Sequence, residues 1–205
     1  MDYSKIKKII LWTDTHVGAP HADIPNIDPI IEDYLKYKED ETVLVVATGD
    51  IIDNKNVPRK KAKHWAEERD NLKKLMGKNY LFGNHECEVD PDGYFAVFGD
   101  ILIFHDHMYS WCGNFTEPCK KVLKWESKRE GLRWHKYFAY RFKHLVVKRG
   151  KKLKPSEKMI SDLVSFANSQ SAKKVLFGHT HKLYDEIHQG IRIINGGRGR
   201  TVYIL

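Results

Sequence analysis

An α/β layered domain is predicted by two features of the sequence: short apolar runs alternate with amphipathic helical patterns, and polar clusters follow the ends of those runs. The chain has 205 residues, a length that suits one domain and buries about 70% of its unfolded surface. One domain over 1–205 is therefore expected, with a basic helical insertion at 117–158.

The elements follow in order. Residues 6–12 read as a buried strand that runs into Asp14-Thr15-His16. Asp28-Pro29 is a helix start, an N-cap followed by proline at the first helical position, and Ile30, Ile31, Tyr34 and Leu35 then share a face. Val43–Thr48 is the next strand and stops at Gly49-Asp50. Ala62, Trp65, Ala66, Leu72, Leu75 and Met76 mark a second amphipathic helix, ended by Gly77. A short strand at 80–82 stops at Gly83-Asn84-His85-Glu86. From Phe95 the pattern turns β-like, and Ile101–Phe104 delivers His105. Pro118 opens a basic, aromatic stretch that reads as helix, interrupted near Gly131. A helix after Pro155 carries Met159, Ile160, Leu163, Val164 and Ala167 on one face. Residues 175–177 form a strand that ends at Gly178-His179-Thr180-His181. Ile187, 191–194 and 202–205 are closing strands, with Asn195-Gly196-Gly197 as turn material.

Composition narrows the class. Hydrophobic residues at 41% and charged residues at 30% exclude wholesale disorder. No apolar run is long enough to cross a bilayer, and the N-terminus has no signal-peptide pattern. Three cysteines, an odd and sparse set, argue against a disulfide framework and fit a reducing cytoplasm.

The net charge of +8 is unevenly placed. Residues 120–158 hold 15 basic and 3 acidic side chains, a balance of +12, whereas the remainder holds 20 and 24, a balance of −4. Such a segment is either a solvated helix surface or a site for phosphate-bearing partners. Its Trp125, Trp134, Tyr137, Phe138, Tyr140 and Phe142 could stack nucleic-acid bases, although aromatics at helical spacing are more often core. Contact with a nucleotide or a peripheral lipid headgroup stays open too.

Asp14, His16, Asp50, Asn84, His85, His105, His179 and His181 all follow strand ends, where α/β sheets place their sites. Carboxylate, imidazole and amide oxygen together are the ligand mix of Mn, Fe or Zn. In an extended strand end, Asp14-x-His16 and His179-x-His181 would each project two ligands to one side. Asp50, reached after a glycine, can bridge two ions through its two oxygens. A zinc site from His105, His107, Cys112 and Cys119 is conceivable on ligand type but lacks CxxC spacing. His21, His64, His135, His144 and His188 read as surface or half-buried residues.

The order D-x-H, G-D-x-x-D, G-N-H-E, H, G-H-x-H resembles that of the calcineurin-like metallophosphoesterases, from Trp12 to the end of the chain. The resemblance implies a four-layer α/β/β/α sandwich with a dinuclear site. Asp14, His16 and His181 would hold one metal, Asn84, His105 and His179 the second, and Asp50 would bridge. His85 would contact the phosphate or protonate the leaving oxygen, and Asp53 would orient it. The cofactors implied are two divalent transition-metal ions, with Mn the first expectation and Fe or Zn the alternatives. A hydroxide between two cations would attack phosphorus in line.

The pattern has departures. The family often has His-Gly at its fifth motif, where this chain has His105-Asp106-His107, either an outer-shell pair or a polar turn. The basic insertion resembles that of the UDP-2,3-diacylglucosamine hydrolases, yet those enzymes usually carry Arg where His85 stands, which disfavours a lipid A precursor. Arg198-Gly199-Arg200 is a phosphate contact or, more simply, a hairpin turn. The expected function is hydrolysis of a phosphomonoester or phosphodiester. Alternatives are a nucleotide-sugar or lipid pyrophosphatase, a nucleic-acid phosphodiesterase, and a binding module on the same fold. The complete ligand set favours an enzyme.

Overall fold

Residues 9–12 are apolar at every position, so the strand they form must be buried on both faces. The computed structural model describes residues 2–86, 95–115, 119–126, 131–146 and 155–205. In it, β1 (Lys8–Thr13) turns Ile9 and Leu11 one way and Ile10 and Trp12 the other. β2 (Val43–Thr48) does the same with Leu44 and Val46 against Val43, Val45 and Ala47. The two pair in parallel, from Lys8↔Val43 to Trp12↔Ala47. β3 (Tyr80–Leu81) joins β2 in parallel and β9 (Gly199–Ile204) joins β1 antiparallel, giving the order β3-β2-β1-β9.

The second sheet comprises β4 (Phe95–Phe98), β5 (Ile101–Phe104), β6 (Lys174–Phe177), β7 (Leu183–His188) and β8 (Ile191–Gly196). Its order is β4-β5-β6-β8-β7, with the three central strands parallel and both edges antiparallel. Ile9, Leu11, Leu44 and Val46 meet Ile101, Ile103, Leu176 and Ile194 between the sheets. α1 (Asp28–Tyr37) and α2 (Arg59–Met76) cover the outer face of the first sheet through Ile30, Leu72 and Met76. α6 (Glu157–Ser169) covers the second through Met159, Leu163, Val164 and Ala167. These are the four α/β/β/α layers anticipated above. Between β5 and α6 the chain forms α3 (His107–Cys112), α4 (Lys120–Glu126) and α5 (Trp134–Val146).

Three local expectations change. Asp28 is the first residue of α1 rather than its cap: Ile27 precedes it, and the Asp28 carboxylate takes a hydrogen bond from Asn26 instead. Asn195 and Gly196 lie inside β8, not in a turn. A Cβ at Gly196 would stand 2.6 Å from Leu11 Cδ2, so glycine there lets the two sheets approach. Cys112 and Cys119 form a disulfide, with their Cα atoms 5.4 Å apart. That pairing overturns the reading of the cysteines as bridge-free and removes both from any zinc site. Cys87 lies outside the described residues.

Parallel pairing within each sheet puts the C-terminal ends of β1, β2 and β3 on one edge, and those of β5 and β6 likewise. The polar clusters leave from these ends.

Candidate metal centre

Where the strands stop, the backbone turns sharply. Asp14, His16, Asp50, His179 and His181 have positive φ values of 51°, 52°, 51°, 77° and 57°. Left-handed backbone at a residue other than glycine costs about 1–3 kcal/mol and gathers at functional sites. The ligands of D-x-H and H-x-H are therefore not presented by extended strand, as periodicity suggested. β1 has ended, and the amides of Asp14 and His16 donate to the carbonyls of Gly49 and Asp50 in the loop after β2, at 3.1 and 2.9 Å.

This geometry draws the predicted residues together. Donor atoms of Asp14, His16 and His181 all lie within 4.8 Å of one another, and so do those of Asp50, His105 and His179. One oxygen lies between the two groups: Asp50 Oδ2 is 4.0 Å from His16 Nε2 and 3.7 Å from His105 Nε2. Asp50 Oδ1 accepts the His85 amide at 2.8 Å, which holds the turn carrying buried Asn84 against the same carboxylate. Asp14 Oδ1 lies 3.1 Å from His181 Nε2 and 3.4 Å from His105 Nε2. Close approach depends on glycine: a Cβ at Gly83 would meet Asp50 Oδ1 at 2.2 Å, and one at Gly178 would meet Thr13 Oγ1 at 2.0 Å.

His85 and Asp53 also come together. Asp53 Oδ2 is 3.0 Å from His85 Nδ1 and 3.6 Å from His16 Nδ1, and it takes hydrogen bonds from the Lys55 and Asn56 amides through Oδ1. The Asn56 side-chain nitrogen Nδ2 donates to Asp53 Oδ2 and lies beside His85 Nδ1, both at 2.9 Å.

Electrostatics follow from burial and these pairs. Burial alone would raise Asp14, but hydrogen bonds to His105 and His181 hold it well below the carboxylate range. Burial pushes Asp50 well above that range, with the charges of Asp14 and Glu86 adding to it. Desolvation lowers His105 to about 4 and also lowers His16 and His179, so these imidazoles are neutral and competent to bind a cation. His85 goes the other way: burial would lower it, but Asp53 and Asp50 raise it to about 9.

A profile described as "Calcineurin-like phosphoesterase" matches residues 7–183. This chain belongs to that family. No curated protein sequence matches it. Among solved structures, a predicted phosphoesterase from Streptococcus pneumoniae is 17% identical, covers 94% of this chain and 72% of its own, and has a TM-score of 0.47. A dimetal phosphatase from Danio rerio is 12% identical, with 98% and 93% covered and a TM-score of 0.43. Vacuolar Protein Sorting 29 from Cryptosporidium parvum is 15% identical, with 94% and 74% covered and a TM-score of 0.43.

Glu86 was not singled out by the sequence, and the structure also resolves the roles of Asp106, His107, Arg198 and Arg200. Glu86, fully buried, accepts from the amides of Gly83, Asp50 and Ile51 and from the Tyr80 hydroxyl, tying the turn after β3 to the loop after β2. Its place in G-N-H-E was the available signal. His107 is buried, with Nδ1 2.9 Å from His105 Nδ1, so it fixes the outer nitrogen of a ligand candidate. Asp106, also buried, binds Ser110 Oγ at 2.9 Å, and burial raises it to about 8. Arg198 spans the Asp14 carbonyl, the His21 carbonyl and the Asp23 carboxylate, and Arg200 binds Asp33. Both act as braces rather than free phosphate contacts.

The basic segment reaches this centre at two points. The Gly131 amide donates to the Asn54 carbonyl at 2.9 Å, and Leu132 pairs with residues 57–59 beyond Asp53. Tyr140 of α5 places its hydroxyl 3.4 Å from His21 Nδ1, and the His21 ring lies 4.8 Å from that of His16. Burial, then the charges of Asp53 and Asp50, raise the Tyr140 phenol. His21 is half-buried as expected, yet at the rim of the site; His64 and His135 are exposed and His188 half-buried, while the His144 side chain lies outside the described residues.

Proposed function

We propose that this chain hydrolyses phosphoesters with two divalent cations, one held by Asp14, His16 and His181, the other by Asn84, His105 and His179, with Asp50 shared. The observation that carries this reading is the Asp50 Oδ2 oxygen, 4.0 Å from a nitrogen of one group and 3.7 Å from a nitrogen of the other. The residues fit such ions. His16 Nε2 is buried without a hydrogen-bond partner, a costly arrangement that a bound cation would relieve, while Nδ1 faces Asp53 Oδ2 at 3.6 Å. Imidazole, carboxylate and amide donors suit Mn, with Fe or Zn as alternatives.

The cations, when bound, would polarise the phosphoryl oxygens and lower the pKa of water. The chain's own residues do the rest. Asp53 fixes His85 through Nδ1, leaving Nε2 on the side of the centre, 4.0 Å from Asp50 Oδ2. His85, raised to about 9, carries its proton at neutral pH and donates it from Nε2 to the leaving oxygen. Glu86 holds the two loops in register.

The test is metal content together with turnover of Mn-loaded protein on nitrophenyl mono- and diesters. Two ions per chain and measurable hydrolysis are expected, and Asp50→Ala loses both. One ion at saturating metal, with neither ester hydrolysed, refutes the reading.

A further inference from the structure

α5 has two faces. One bears Tyr140, which reaches His21 beside His16. The other bears Trp134, Phe138 and Phe142, spaced i, i+4 and i+8 and so aligned along the helix. These rings are 52%, 53% and 68% exposed, although side chains of this size are ordinarily core. Trp134 and Phe138 stack on each other with centroids 5.0 Å apart, and Lys60 of α2 stands 5.1 Å over the Trp134 ring. Arg141 lies within the same stripe, while Arg133 and Lys136 flank Tyr140, and all three are exposed. On the outer face, the aromatic stripe thus has Arg141 within it and Lys60 at its Trp134 end, whereas Arg133 and Lys136 belong to the site-facing side with Tyr140.

We propose that this outer face of α5 is a stacking platform for single-stranded nucleic acid, delivering a phosphoester of the strand to the metal centre on the inner side of the same helix. The delivery step rests on the proposed hydrolytic function; binding to the platform does not. Charge complementarity selects the occupant. Residues 120–158 carry a balance of +12 in sequence, and on the described surface Lys60 and Arg141 stand at the aromatic stripe, so a polyanion with one phosphate per base can meet both rings and cations there. Stacking is tolerant of base identity, so the platform binds without sequence preference. An anionic membrane surface is the competing occupant for an aromatic, basic helix. A bilayer offers no repeating rings to stack on an aligned Trp–Phe pair, so the single strand is favoured.

The experiment uses the full chain and a fluorescein-labelled oligothymidylate of about 16 nucleotides, read by fluorescence anisotropy over a range of salt. Wild type binds, and affinity falls steeply with salt. Trp134→Ala/Phe138→Ala weakens binding at least about 10-fold with the salt slope retained. Lys60→Glu/Arg141→Glu lowers the slope by about 1.4, as two lost phosphate contacts require. Both variants should keep the wild-type circular dichroism spectrum, and the aromatic variant should keep the wild-type turnover of a nitrophenyl ester. No binding by wild type, aromatic variants that bind as wild type, or preference for phosphatidylglycerol vesicles over the oligonucleotide each overturns the proposal. Absence of ester hydrolysis with oligonucleotide binding intact would instead count against the hydrolytic function alone.

Discussion

His85 is held from behind and open in front. Asp53 Oδ2 sits 3.0 Å from Nδ1, and Nε2 stands 4.0 Å from Asp50 Oδ2 at the centre. On the proposed assignment, His85 stands beside the ligands and is not one of them, although its donor atom also groups with those of His16 and Asp53 within 4.8 Å. It should therefore be separable from metal binding. His85→Ala is expected to retain its metals while turnover falls about 10²–10⁴-fold, the usual worth of general acid catalysis. The fall should be larger for alkyl esters than for nitrophenyl esters, whose leaving group needs little protonation. Parallel kinetics on the two ester classes, with metal analysis, check this; equal losses would leave His85 with a binding role only. His85 was legible in the sequence because it sits in G-N-H-E. The role of its neighbour Glu86, in the same motif, was not, since a carboxylate accepting from β3 and two loops looks identical in sequence to one serving solvent.

At the scale of elements, the basic segment is joined to the loop after β2 by a narrow contact. Gly131 has φ of 71°, and a Cβ there would stand 2.5 Å from the Arg59 Cα. Gly131→Ala therefore meets both a left-handed backbone penalty and a backbone collision, together about 2–3 kcal/mol. For a chain of this size that lowers Tm by about 4–12 °C. It should also loosen α5 from the site, raising KM for a large phosphoester more than for nitrophenyl phosphate. Calorimetry and paired kinetics provide the check, and an unchanged Tm would mean the contact is not made in solution. The break near Gly131 was visible in the sequence as a helix interruption. What it does was not, because pairing of Leu132 with residues 57–59 joins segments more than seventy positions apart. The same applies to Tyr140, one aromatic among six until the fold set it against His21.

At the scale of the molecule, two sheets place their strand ends at one centre, where buried imidazoles and carboxylates crowd together. A cation bound there stabilises the folded state alone, by about 4 kcal/mol at a thousand times its Kd. Chelation should lower Tm by about 8–16 °C, and Mn should restore it. Scanning calorimetry before and after dialysis against EDTA tests this; coincident transitions would argue against a resident metal. The layered fold and the identities of the site candidates were written in the sequence, because both reside in local patterns. Apolar runs such as Ile9 to Trp12 specify strands buried on two faces, and ligand types at strand ends survive in linear order. Only the tertiary structure decided the left-handed turns that aim Asp14, His16, Asp50, His179 and His181, and the pairing of Cys112 with Cys119. It also decided which face of α5 meets the site and which meets solvent. Each depends on contacts between segments distant in the chain, and periodicity along the sequence carries no information about distances across it.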